Sequence, residues 1–244
     1  DYLRILRYVR FFINYSNQDH DLKIIKIIKK NIDGVSKLSS ERLLDEFKKL
    51  TRSSAFLKIF KDDICLEIIK MIFPQLKNID TFKKLNSHTQ NNLSKVDFIF
   101  LLSLMIIDGT DNADYFIYKF NLSKKDQKRL KSIDFFYKEN VNIKNFNEKN
   151  FNKIFYHNGK QTVIDIINFK LFTSTKVEKK LLKLIEIYEN KVLPTFPIGA
   201  NMIMTKYNIP EGKTLGNKLR LIEETWVQNN FQISEKQILK IIKN

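Results

Sequence analysis

The chain has 244 residues, 43% of them hydrophobic, with 43 Lys and Arg against 27 Asp and Glu, a formal net charge of +16. That length and apolar content suffice for one large or two modest domains, and the charge points to a polyanionic partner, nucleic acid first. The most apolar stretch, residues 98–107, is about half of what a bilayer span needs, and a single cysteine, Cys65, excludes an internal disulfide framework and suits a reducing cytoplasm.

The opening residues read DYLRILRYVRF. Leu3, Leu6, Val9 and Ile13 recur at helical spacing beside an arginine series, Arg4, Arg7 and Arg10. Asp1 and Arg4 stand one turn apart, so an acceptor and a pair of donors are presented side by side. Cytosine and adenine each offer an amino group next to a ring nitrogen acceptor. A fixed carboxylate receives the amino hydrogen and a fixed guanidinium donates to the ring nitrogen, whereas uracil and guanine set a carbonyl against the carboxylate. An ordinary i,i+3 surface ion pair is the plainer reading of the same two residues.

Residues 22–32 place Leu22, Ile24, Ile25, Ile27, Ile28 and Ile32 against Lys23, Lys26, Lys29 and Lys30. This basic amphipathic helix suits a core helix with a solvated lysine face, a phosphate backbone or a membrane surface, and Gly34 is expected to stop it. Ser39 or Ser40 caps the next helix, whose apolar face is Leu43, Leu44, Phe47 and Leu50. Glu41, Arg42 and Glu46 are expected to tie neighbouring helices together. Residues 65–73 make a fourth helix that Pro74 ends.

The pattern stays helical from 80 to 188. Residues 98–107 should run through the core, and Ser123 has the position of an N-cap. Residues 140–152 are asparagine-rich without a clean period, a loop or an irregular helix, and 177–193 are an amphipathic helix. Pro194, Pro197, Pro210, Gly199, Gly212 and Gly216 then crowd residues 194–216 and mark a last unit. Residues 210–216 predict a helix, tight turn, helix corner. Free amides at the second helix start, with Gly212 and Lys213 there and Lys206, Lys218 and Arg220 nearby, make a phosphate-binding candidate for RNA. A plain helical corner is the alternative.

Chemistry-bearing clusters are sparse. Asp108, Asp111 and Asp114 in DGTDNAD have turn and cap composition rather than calcium-loop spacing. His20, His88 and His157 lie far apart in the sequence without neighbouring Cys or paired carboxylates, so neither zinc nor a triad is expected. Two-metal nucleotide polymerisation needs carboxylates on adjacent strands and a triphosphate loop, which this pattern does not supply.

Residues 1–11 resemble the DxxRxxRxxRF segment of the class II tRNA nucleotidyltransferases, the CCA-adding enzymes and related bacterial poly(A) polymerases. Residues 35–50, VSKLSSERLLDEFKKL, resemble the LSxERxxxEL stretch that follows it in that family. Residues 122–130 and 157–165 resemble its body more loosely. Residues 196–226 resemble its tail, with Asn201 in place of the usual Asp and Glu211 in place of a Pro, which puts any tRNA contact through that Asp in doubt.

The resemblance implies an all-α, elongated neck, body and tail, here 1–75, 76–190 and 191–244, without the catalytic head. It implies that Asp1 and Arg4 form the nucleotide template, while Arg7 and Arg10 support the helix or approach the triphosphate. Body and tail would hold tRNA, CTP and ATP would be the nucleotides, and Mg²⁺ would be bound by the missing head. The chain opens inside a motif and is read as a cut through a longer protein, inactive by itself and cytoplasmic, with no membrane or obligate protein partner. A poly(A) polymerase of the same family is the near alternative, and a helical RNA-binding module without chemistry is the more distant one. A membrane-surface or protein-docking domain built on residues 22–32 is the third.

Overall fold

A computed structural model describes residues 1–139 and 146–243. The described residues are helical with no strand, as the periodicity predicts. The chain forms two compact units, Asp1–Glu139 with Asn168–Glu178, and Asn140–Ile167 with Lys179–Asn244.

The first unit begins with α1 (Leu3–Tyr15), which buries Leu3, Ile5, Leu6, Val9 and Ile13. Asp1 supplies its start: the carboxylate accepts from the Leu3 amide at 3.1 Å, and the Asp1 carbonyl accepts from the Arg4 amide. That satisfies two donors every helix leaves free. α2 (Leu22–Asn31) is capped by Asp21, which accepts from the Lys23 amide. It buries only Ile25 and Ile28, leaving Leu22, Ile24 and Ile27 exposed.

α2 ends at Asn31, three residues before Gly34, and Gly34 does not take a positive φ. The chain passes from α2 into a 3₁₀ turn, Ile32–Lys37, and Gly34 lies within it, buried. The reason for glycine is steric: a Cβ there would fall inside the ring of Tyr2.

α3 (Ser40–Thr51) is capped by Ser39, which accepts from the Arg42 amide, and buries Leu43, Phe47 and Leu50. α4 (Asp63–Ile72) is capped by Asp62 and ends just before Pro74. α5 (Ser87–Asn92) is short. α6 (Phe98–Ile106) is the core helix, buried at every position but Ile99. α7 (Asn112–Phe120) ends at Asn121, whose φ of +45° is the left-handed cap that Asn tolerates. Ser123 caps α8 (Lys124–Glu139), accepting from the Asp126 amide while its hydroxyl donates to the Asp126 carboxylate. Phenylalanine rings join these helices: Phe47 lies 4.6 Å from Phe73 and 6.0 Å from Phe98, and Phe73 lies 5.8 Å from Phe120, centroid to centroid.

Of the asparagine-rich stretch, 140–145 lie outside the described residues. Asn147 caps α9 (Glu148–Asn158). α10 (Lys160–Thr173) is shared between the units, and α11 (Lys179–Asn190), α12 (Ala200–Tyr207), α13 (Lys213–Gln228) and α14 (Glu235–Lys243) complete the second. Its end is closed by Ile198, Ile203, Leu215, Ile222 and Ile238, drawn from α12, α13, α14 and the approach to α12.

Candidate nucleic-acid interface

The first candidate site is the N-terminal end of α1, and α3 positions it. Glu46, 1% exposed on α3, accepts from Arg7 Nε at 3.3 Å and from Arg10 Nε at 2.5 Å. One carboxylate thus takes up two of the three arginines of the series. A buried carboxylate needs such partners, and once it has them it fixes the rotation of α1 about its own axis. Arg7 and Arg10 are therefore held against α3 by Glu46. Arg4 differs: it is exposed, and its side chain has no ion pair among the described residues.

Asp1 is held from the same neighbour. Its Oδ2 lies 3.1 Å from Arg42 Nη2 on α3, while its Oδ1 takes the Leu3 amide. No side-chain hydrogen bond or ion pair joins Asp1 to Arg4 among the described residues. The two are adjacent on one helix end, but the carboxylate is oriented by Arg42 and the guanidinium is left available. A carboxylate has roughly four acceptor directions, so Asp1 keeps capacity for a ligand donor. The arrangement can accept from an amino group and donate to a neighbouring ring nitrogen.

Of the residues expected to tie helices together, Glu46 and Arg42 do so, and Glu41 has no ion pair among the described residues. Arg42 as the partner of Asp1 was not legible in the sequence, because 41 positions separate them. Tyr2 on buried Gly34 was equally hidden.

Tertiary structure also overturns the isolation of His20. Its Nε2 lies 2.9 Å from Asp62 Oδ2, its Nδ1 2.7 Å from the Tyr8 hydroxyl, and its ring stacks on Phe12 at 3.6 Å between centroids. A carboxylate only accepts, so Nε2 carries a proton, and in the neutral ring Nδ1 accepts from Tyr8. Burial, and with it the charge of Asp62, pushes the Tyr8 hydroxyl up and keeps it a donor. Cys65 Sγ stands 3.9 Å from Nε2, so three atoms of metal-ligand type lie within 4.8 Å of one another. Burial, reinforced by Asp62, pushes the Cys65 thiol far up. The cluster acts as a hydrogen-bonded staple joining α1, the approach to α2 and the start of α4.

The DGTDNAD carboxylates are spent locally. Asp108 accepts from the Thr110 amide and hydroxyl, Asp114 pairs with Lys131, and Asp111 faces Lys138. They form the turn and helix start that their composition predicts, and their partners are lysines rather than one another.

The second candidate lies in the other unit, at the start of α13. Gly212 has φ +150° and precedes the first helical residue, Lys213, and no side chain caps the helix. Its first amides are therefore available to an anion. Lys213 is exposed, and among the described residues Arg220 makes only a 4.0 Å contact with Glu224 on its own helix. The other two lysines are engaged: Lys206 pairs with Glu235 at 2.6 Å, a hydrogen bond that raises its pKa, and Lys218 Nζ donates to the carbonyls of Ile241 and Ile242. A lysine on the last carbonyls of α14 is a helix C-cap.

Residues 21–80 match the family described as "Probable RNA and SrmB- binding site of polymerase A". This segment includes Arg42 and Glu46. Over its full length the chain is 25% identical, in a 254-residue alignment, to the human protein named CCA tRNA nucleotidyltransferase 1, mitochondrial, and equally to the mouse protein of that name. The chain spans 55% of each, about half the length of these curated relatives. A solved structure of a CCA-adding enzyme in apo form I matches the whole chain and 59% of its own, with a TM-score of 0.59 at 17% identity, a likeness of fold.

Proposed function

We propose that this chain, similar over its whole length to about half of two CCA tRNA nucleotidyltransferases, is the base-selecting and RNA-holding part of an enzyme that adds C, C and A to tRNA 3′ ends from CTP and ATP. The observation that carries the reading is the end of α1, where Asp1 is oriented by Arg42 and Arg4 has no ion pair among the described residues. A fixed acceptor beside a free guanidinium complements the amino group and ring nitrogen that C and A share, and opposes the carbonyl that U and G present there. Arg7 and Arg10, drawn onto Glu46, hold the helix that carries the pair.

In this reading Mg²⁺ and the carboxylates that bind it belong to the remainder of the intact protein, and this chain alone is inactive. The start of α13, with Gly212, Lys213 and Arg220, contacts RNA phosphates, and the basic surface supplies the long-range attraction. Shape, stacking and phosphate contacts suffice to hold an RNA whose sequence varies.

The test is nucleotide selectivity in the intact enzyme. Asp1→Ala or Arg4→Ala is expected to loosen discrimination of CTP and ATP against UTP and GTP while tRNA affinity stays within about two-fold. Equal loss of both would make α1 a structural helix only. ATP use without CTP, with extension that does not stop, would make the protein a poly(A) polymerase instead, since the same pair accepts adenine.

A further inference from the structure

α1 carries two large aromatics that its core does not use. Phe11 is 47% exposed and Tyr15 77%, whereas Leu3, Ile5, Leu6, Val9 and Ile13 on the opposite side are buried. One turn apart, the two rings lie 6.0 Å between centroids with planes 29° from parallel. Arg10, anchored by Glu46, lays its guanidinium 4.4 Å from the Phe11 centroid. The inner ring is thereby stiffened and the outer ring left open.

Arg4, Arg7, Phe11 and Tyr15 follow one another at three- and four-residue steps, so they line one exposed edge of α1. With a rise of 1.5 Å per residue, Phe11 lies roughly 10 Å and Tyr15 roughly 16 Å along the axis from Arg4. Stacked nucleotides advance about 3.4 Å each. The aromatic pair is thus about three to five nucleotides from the point where the incoming base is read.

We infer that Phe11 and Tyr15 are a stacking platform for the unpaired bases that precede the growing 3′ end of the RNA. The inference deepens the function proposed above and rests on it. Every base has a π-face, so a platform of this kind holds an end whose sequence changes with each addition. The edge runs on from Arg4 of the candidate template through the half-exposed Arg7, so the rings continue a line of positive charge that complements an RNA backbone.

The experiment uses the intact protein and two RNA hairpins, one blunt and one with a four-nucleotide unpaired 3′ tail carrying 2-aminopurine. Phe11→Leu and Tyr15→Leu keep apolar bulk and remove the ring; Phe11→Trp restores one. Each Leu variant is expected to bind the tailed hairpin about ten-fold more weakly and to lose the fluorescence quenching of stacked 2-aminopurine. Binding of the blunt hairpin and the salt dependence should stay unchanged, and the Trp variant should recover the parent's affinity.

Leu variants that bind and quench like the parent would overturn the platform while leaving RNA binding intact. Equal weakening on both hairpins would also overturn it, by assigning the rings to the fold. If the parent bound neither hairpin, the RNA-holding function itself would fail, and the platform with it.

Discussion

Asp1 is paired with Arg42, 3.1 Å away on α3, and not with Arg4, its neighbour one turn along α1. The acidic and basic halves of the candidate template therefore have different standing. One is oriented by the fold and the other is free to meet a ligand.

Arg4→Ala removes an exposed side chain that has no ion pair among the described residues, so unfolding in urea should shift by less than about 0.5 kcal/mol. Arg42→Ala should cost little more in stability, because surface ion pairs contribute about 0–1 kcal/mol. It releases Asp1 from its orientation, however, and nucleotide discrimination should fall in the intact enzyme. A steady-state comparison of CTP with UTP measures it.

Glu46 is the stability counterpart. Glu46→Ala leaves Arg7 and Arg10 without their acceptor, and a loss of about 2 kcal/mol is expected. That is below the ~3–5 kcal/mol of a fully buried pair because Arg7 is 44% exposed. Arg7→Ala should cost about half as much, since Arg10 still neutralises the carboxylate. Denaturant midpoints of the two variants and of the double variant test this; the double variant should cost less than the sum.

Gly34→Ala tests the packing of Tyr2. The added methyl overlaps the tyrosine ring, so either the ring or the 3₁₀ turn must move, and a loss of about 1–3 kcal/mol is expected. Tyr2→Ala should rescue most of that loss by opening the space. Melting temperatures of the single and double variants decide it.

In the second unit the lysines separate by partner. Lys218→Ala removes a donor from the last carbonyls of α14 and should destabilise by roughly 0.5–1.5 kcal/mol. Lys213→Ala and Arg220→Ala should leave stability unchanged and each reduce the slope of log affinity against log salt by about 1. Titration of RNA at four salt concentrations distinguishes the two effects.

A pH prediction attaches to Asp97, which caps α6 and pairs with Arg129 at 2.5 Å. Burial raises its pKa, but the hydrogen bonds from Arg129 and from the Phe100 amide outweigh burial and hold the carboxyl below the usual range. A depressed folded-state pKa means a stabilisation present above about pH 4 and lost as pH falls through the folded value. Asp97→Asn keeps a capping side chain and cannot ionise, so its stability should fall less steeply than the parent's between about pH 4 and pH 2.

The amino-acid sequence by itself determined the helices and their buried faces. Leu3, Leu6, Val9 and Ile13 meet at helical spacing because 3.6 residues make a turn. Ser39 and Ser123 announce helix starts because a hydroxyl reaches an amide three positions on. These are local relationships, and residues within a few positions carry all of the information. Tertiary structure alone decided which charges meet. Asp1 found Arg42, Arg7 and Arg10 shared Glu46, His20 joined Asp62, and Lys218 reached the end of α14. Each partner lies 23 or more positions away, beyond any periodicity. A long polar side chain has several candidates within reach of its own helix. Only the packing of α1 on α3, and of α13 beside α14, selects among them by setting distance and burial.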